Sequence, residues 1–234
     1  MLVARLLQAF LRRYAECEAE AIAPYVVGRR LLDLGAGEGY VTAALRRRTG
    51  IWTCAVDIGR YQRLPVPYLL YDGTRLPFGD AAFDSTLISL ALHHCADPEG
   101  VLDEAMRVTR FRLIILESVY RSRWERFCLE RLDAWLNSYR HSGTMHLPLA
   151  FKKAEEWQQV FDARALQTVD KRWLGSWWER LVHQPALFVL DKAASRGTAA
   201  NVMPGREPLE EMRSTMHIAD IHDRRRSQRL GAGL

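Results

Sequence analysis

Cysteine is scarce in this chain, with four in 234 residues, at positions 17, 54, 95 and 128. No two of them form C-x-x-C, and a chain of this size has no need of stapling. Neither a disulfide framework nor a zinc ribbon is therefore expected, no metal is expected either, and a reducing cytoplasmic setting is the simplest one. Long apolar runs are also missing. None approaches the roughly 18 residues that a membrane span requires. Nor does charge of one sign dominate: 33 Lys and Arg against 28 Asp and Glu leave a net +5. The densest basic runs, Arg46-Arg47-Arg48 and Arg224-Arg225-Arg226, lack the interleaved aromatics of a base-stacking surface, so nucleic acid is not the expected partner. No internal repeat is present. What remains, 48% hydrophobic and 26% charged residues, is the composition of one ordinary globular domain of α/β size.

Periodicity then divides the chain. Residues 2–22 have helical spacing, with Leu2, Leu6, Phe10 and Tyr14 on one face and Pro24 closing the helix. The stretch is amphipathic and bears Arg, as a transit peptide does, but Glu16, Glu18 and Glu20 follow at once, and it reads as part of the fold. Residues 30–34, 51–56, 66–71, 83–89 and 111–116 read as strands. Helices fall at 38–49 and from Asp97-Pro98 to about 110, proline being welcome in a first helical turn. Strands and helices in alternation predict a parallel sheet covered on both faces. The rhythm then changes. A helix over 121–138 brings Tyr120, Trp124, Phe127 and Trp135 near one face, expected to be part core and part pocket wall. A loop at 139–150, a helix at 152–162 and two strands at 166–173 and 186–190 follow, the last two as a closing pair. Trp177 and Trp178 are either buried or line a pocket. From about 193 periodicity is lost, and a poorly ordered tail is expected through 234.

The densest chemistry lies in Leu31-Leu-Asp-Leu-Gly-Ala-Gly-Glu-Gly39. Three glycines between a strand and a helix let backbone approach a ligand closely, with no Cβ in the way. A dinucleotide needs G-x-G-x-x-G over its pyrophosphate. Here Tyr40 stands at the sixth position, and the pattern is D-x-G-x-G-x-G, suited to a ligand without phosphate. Asp57 ends the second strand, where a carboxylate can accept from both hydroxyls of a ribose. Asp72 follows the third strand and can accept from an exocyclic adenine amine, or serve as the lead residue of a turn into Gly73.

With Asp80-x-x-Phe-Asp84, Leu92-His-His94 and Glu104-x-x-Arg-Val108 added in order, residues 28–118 resemble the class I S-adenosylmethionine-dependent methyltransferases, in particular the methyltransferase type 11 group. The resemblance implies a Rossmann-like α/β fold with a seven-stranded sheet in order 3-2-1-4-5-7-6, strand 7 antiparallel, and helices on both faces. It implies that Asp33, Gly35, Ala36, Gly37 and Gly39 surround the methionine part of S-adenosylmethionine, that Asp57 with Ile58 holds the ribose, that Asp72 and Gly73 lie by the adenine, and that Ser89 offers backbone to the methionine amine. The Pro-Gly-Gly turn usual before strand five is absent here. One domain is expected over 1–192, with 118–150 covering the acceptor site.

Methyl transfer needs no nucleophile from the protein, and a general base only where the acceptor must lose a proton. His93 and His94, at the carboxyl edge after strand four, and His141 and His146, in the loop after the aromatic helix, are the base candidates, with His94 and His146 put forward; packing at a helix start is the competing reading of the first pair. The expected partner is a small-molecule acceptor whose identity the sequence does not carry. Competing readings are an RNA methyltransferase, which lacks an Asn-Pro-Pro-Tyr type signature after strand four, a non-catalytic scaffold of the same fold, and a nicotinamide oxidoreductase, which fails at Tyr40.

Overall fold

A computed structural model of the chain describes residues 2–140, 149–175 and 184–193. Helix α1 (Leu2–Ile22) runs through a single 3-10 turn at Ala23–Tyr25 into β1 (Arg30–Leu34). Then come α2 (Tyr40–Thr49), β2 (Trp52–Asp57), β3 (Tyr68–Leu70), β4 (Phe83–Ser89), a 3-10 turn at Leu92–His94, α3 (Pro98–Val108) and β5 (Thr109–Val119). Helices α4 (Arg123–Arg140) and α5 (Ala154–Asp162) precede β6 (Leu166–Trp173) and β7 (Gln184–Lys192). The seven strands form one sheet in the order β3-β2-β1-β4-β5-β7-β6. Neighbours from β3 to β5 are parallel, and β7 runs antiparallel to both β5 and β6. The fold is the one that the resemblance implies.

Burial on both faces explains the unbroken apolar reading of the central strands. On one side Leu32, Leu34, Val56, Ile88, Ile115 and Phe188 pack with Leu102, Ala105, Trp157 and Phe161 of α3 and α5. On the other, Leu31, Leu87, Ile114, Leu116 and Val189 meet Ala19, Ile22, Ala44 and Leu45 of α1 and α2. Small residues on α1 bring it close to α2. On the face that Phe10 and Tyr14 share, Phe10 is exposed and stacks on the half-buried Tyr14 at 6.2 Å, while Ala15, Ala19 and Ile22 are buried. The aromatic residues around α4 divide between core and surface. Trp124, Phe127 and Trp135 are exposed, and Leu129 packs inward with Tyr120 and Phe151.

The acidic residues of the later motifs hold loops. Asp84 accepts from the backbone N–H groups of Arg29 at 2.8 Å and Arg30 at 3.0 Å, fixing the start of β1. Glu104 accepts from the Leu76 N–H at 2.8 Å, and Arg107 bridges Glu104 to Asp80. These contacts clamp the loop between β3 and β4 onto α3. Where the Pro-Gly-Gly turn is missing, α3 passes straight into β5, with the Thr109 N–H still donating to Ala105 and Met106 carbonyls. Strand β5 consequently begins two residues earlier than the apolar run suggests. Expectations for the loop at 139–150 (beyond its first and last two residues), for Trp177 and Trp178 and for the tail after 193 lie outside the described residues.

Candidate active site

The glycine turn joins the end of β1 to the start of α2. Gly35, Gly37 and Gly39 all have left-handed backbone, at φ of 77°, 54° and 80°. A side chain there is strained, and at Gly35 a Cβ would stand 2.4 Å from that of Ala91. The N–H groups of Gly35 and Ala36 donate to the Val56 carbonyl at 2.8 and 3.2 Å, tying the turn to β2. Asp57 completes the tie. Its Oδ2 accepts from Gly37 at 2.8 Å, and its Oδ1 from Ile58 at 2.7 Å and Gly59 at 3.4 Å. The Tyr68 hydroxyl donates to the carbonyls of Gly37 and Gly59. Turn and carboxylate are thus one preorganised unit. Ionised, Asp57 offers about four acceptor sites, so capacity remains after two firm bonds and one long one.

Electrostatics decide what such a turn accepts. Asp33, Glu38 and Asp57 are all buried, and no Lys or Arg lies between residues 33 and 40. Burial raises the pKa of Asp57, against the pull of the Gly37, Ile58 and Gly59 N–H groups. Burial likewise pushes Asp33 up to about 7; the Thr42 hydroxyl at 2.5 Å offsets part of this and the Asp57 charge adds to it. A field of this sign repels a pyrophosphate and favours a cation with donor groups. S-adenosylmethionine fits that description, with its sulfonium, its ammonium and its ribose hydroxyls.

Asp33 also makes stability depend on pH. Its folded pKa of about 7 lies above the ordinary 3.8. The stability tied to its proton is therefore complete below about pH 3.8 and lost as pH rises through about 7. In Asp33→Asn that loss disappears, so its urea midpoint should gain on that of the wild type between pH 5 and pH 8. A constant difference across that range would place the burial cost elsewhere.

Asp72 is exposed and works as a turn cap. Its Oδ1 accepts from Thr74 N at 2.8 Å, Thr74 Oγ1 at 2.7 Å and Arg75 N at 3.0 Å, and the Arg75 and Thr74 donors hold its pKa down to about 2. Gly73, at φ 84°, leaves contact distance to the Ile58 side chain. Ile58 is 50% exposed although it follows a buried strand, which gives a flat apolar surface beside Gly73. Ser89 ends β4, and Leu90 after it takes a left-handed φ of 52°, held by its N–H on the Leu116 carbonyl at 2.7 Å. Asp33, Gly35, Ala36, Gly37, Gly39, Asp57 and Ile58 are therefore brought together, Gly73 adjoins Ile58, and Ser89 closes the neighbouring strand.

The histidines stand at the same carboxyl edge. Glu117 of β5, fully buried, accepts from the N–H groups of Ala91 at 3.1 Å and Leu92 at 2.7 Å, and its Oε2 lies 2.6 Å from His93 Nδ1. Asp133 of α4 lies 3.7 Å from His93 Nε2 and 3.5 Å from His94 Nε2. Burial works to lower the His93 pKa, but the Glu117 and Asp133 carboxylates outweigh it and hold the ring up at about 9. Sequence reasoning missed both acids. A charge inside the run Ile114-Ile-Leu-Glu117 was the available signal for the first; nothing in α4 marked Asp133. His141 and His146 lie outside the described residues.

A sheet of this order, with a glycine turn and an acidic end to β2, is the arrangement that the resemblance to class I S-adenosylmethionine-dependent methyltransferases implies. Residues 32–112 match the family model described as a methyltransferase domain. Over 112 residues the chain is 38% identical to a demethylmenaquinone methyltransferase of Mycobacterium sp. strain KMS, covering 45% of this chain and 47% of that protein. It is 38% identical over 97 residues to the protein of the same name from Mycobacterium tuberculosis strain H37Rv, covering 38% and 41%. The chain thus spans under half the length of these curated relatives. Among solved structures, a SAM-dependent methyltransferase from Archaeoglobus fulgidus aligns at a TM-score of 0.58 with 15% identity, covering 77% of this chain and 94% of the other. A geranyl diphosphate methyltransferase in complex with SAM aligns at 0.61 with 15% identity, covering 81% and 90%. At that identity these two likenesses concern the fold.

Proposed function

We propose that the chain transfers a methyl group from S-adenosylmethionine to a small-molecule acceptor. The carrying observation is Asp57, buried at the end of β2, bonded to the Gly37 N–H and standing in a turn without a basic residue. When bound, S-adenosylmethionine supplies an activated methyl on a sulfonium. Asp57 would hold the ribose, the surface of Ile58 and Gly73 the adenine, and Asp33 with the glycine backbone the amino-acid end. Alignment and exclusion of water are then the protein's share, and proximity alone is worth ~7–11 kcal/mol in such reactions. The similarity to demethylmenaquinone methyltransferases makes demethylmenaquinone the first acceptor to try.

Isothermal titration with S-adenosylmethionine, S-adenosylhomocysteine and NAD in parallel tests the cofactor half. Heat with the first two and none with NAD is the expected result. A folded protein that binds neither adenosyl compound would refute the enzyme reading and leave the scaffold one.

A further inference from the structure

We propose that His93, His94 and Asp133 form a binding site for a divalent transition-metal ion of the zinc type, with Glu117 as the outer carboxylate that orients His93. The site is independent of the cofactor reading. One donor atom from each of the three residues lies within 4.8 Å of the other two. Asp133 Oδ1 stands 3.5 Å from His94 Nε2 and 3.7 Å from His93 Nε2. Those separations let Asp133 hold the proton on the His93 ring, and a bound ion would take that proton's place. Both separations approach the spacing of about 3.4 Å between ligand atoms that share one tetrahedral ion at bond lengths of about 2.0–2.1 Å. The third separation, between the donor nitrogens of the two rings, lies within 4.8 Å, so the rings must draw together for all three to share one ion.

The surrounding structure favours this use. Ligating histidines commonly give their second ring N–H to a carboxylate, which fixes tautomer and orientation. Here Glu117 lies 2.6 Å from His93 Nδ1, leaving Nε2 to face Asp133. The His93 ring is further held by stacking on Phe151 at 4.4 Å, and its carbonyl accepts from Ala150 N at 2.8 Å. His94 follows in the same 3-10 turn, its ring 4.0 Å from that of His93. The side chains of His94 and Asp133 keep 18% and 19% exposure, so an ion can enter from solvent. Two imidazoles and one carboxylate leave coordination positions open for water or an oxygen-bearing ligand, the composition of an open rather than a closed zinc site. Adjacent histidines do not show the wide spacing of zinc motifs, and the third ligand comes from a helix about forty residues on. The set is invisible as a motif for that reason.

The experiment uses the full chain, free of any affinity tag. Zinc is titrated by equilibrium dialysis near pH 7.5, and cobalt is read by its visible absorption. One equivalent of zinc, and a cobalt spectrum with nitrogen and oxygen ligation, are expected. His94→Ala and Asp133→Ala, each checked for fold by circular dichroism, should lose that equivalent. Glu117→Gln should weaken it about 10–100-fold. Cys95→Ser should keep it. Less than a tenth of an equivalent in the wild type overturns the site, and so does retention of full affinity in folded His94→Ala and Asp133→Ala. Loss in Cys95→Ser would overturn this ligand set in favour of a thiolate one.

Discussion

Asp57→Ala should lose at least about 100-fold in affinity for S-adenosylmethionine while the protein stays folded. Two hydrogen bonds from ribose hydroxyls to a charged acceptor are worth about 1.5–3 kcal/mol each. Losing both corresponds to a factor of about 10²–10⁴. The same carboxylate also holds Gly37, Ile58 and Gly59 in place, so the turn loosens and the factor moves toward the upper end. Stability should suffer little, because water can replace the acceptor at a partly open turn. Relief of the buried Asp57 charge, which also weighs on Asp33, offsets part of the loss. Titration calorimetry and a thermal melt on the same sample separate the two effects. Affinity within about threefold of wild type would remove Asp57 from the cofactor site, and collapse of the fold would make it structural.

The positions of the strands are legible in the chain, and their order in the sheet is what the resemblance to class I methyltransferases implies. Buried strands β1, β4 and β5 are continuous apolar runs, and the glycine turn falls between a strand and a helix as its spacing demands. Strand β3 was overestimated. The strand is Tyr68–Leu70, and its start is delayed because Pro65 and Pro67 cannot donate to a ladder. Helix faces were the weak point. Phe10, Trp124 and Trp135 look like core by size, yet the buried stripes are set by Ala15 and Ala19, which allow close approach to α2, and by Leu129. The linear motif located Asp33, Gly37 and Asp57, which lie within one strand-turn-helix unit and its neighbour. It could not locate a site whose parts come from β5, a 3-10 turn and α4. Glu117 and Asp133 reach His93 only through the packing of three elements, and no spacing in the chain encodes that.

Glu117 is the residue on which that packing depends most. Its carboxylate is fully buried in β5 and holds three partners: the N–H groups of Ala91 and Leu92, and the His93 ring. The two backbone donors belong to the turn that follows the left-handed Leu90, whose own N–H is tied to Leu116 on the same strand. Truncation to alanine leaves the Leu92 N–H and the Nδ1 side of the His93 ring buried without an acceptor. Each such loss costs about 1–3 kcal/mol, more for a charged group. Glu117→Ala should therefore lower the free energy of unfolding by about 3–5 kcal/mol, a large part of the roughly 5–15 kcal/mol typical of a domain. Glu117→Gln retains an oxygen for the backbone and should lose only about 1–3 kcal/mol, chiefly at His93. Urea denaturation of both variants beside wild type measures the difference. If alanine costs no more than glutamine, the carboxylate does not hold the β4 turn, and Leu90 must be kept in its left-handed conformation by the Leu116 carbonyl and side-chain packing alone.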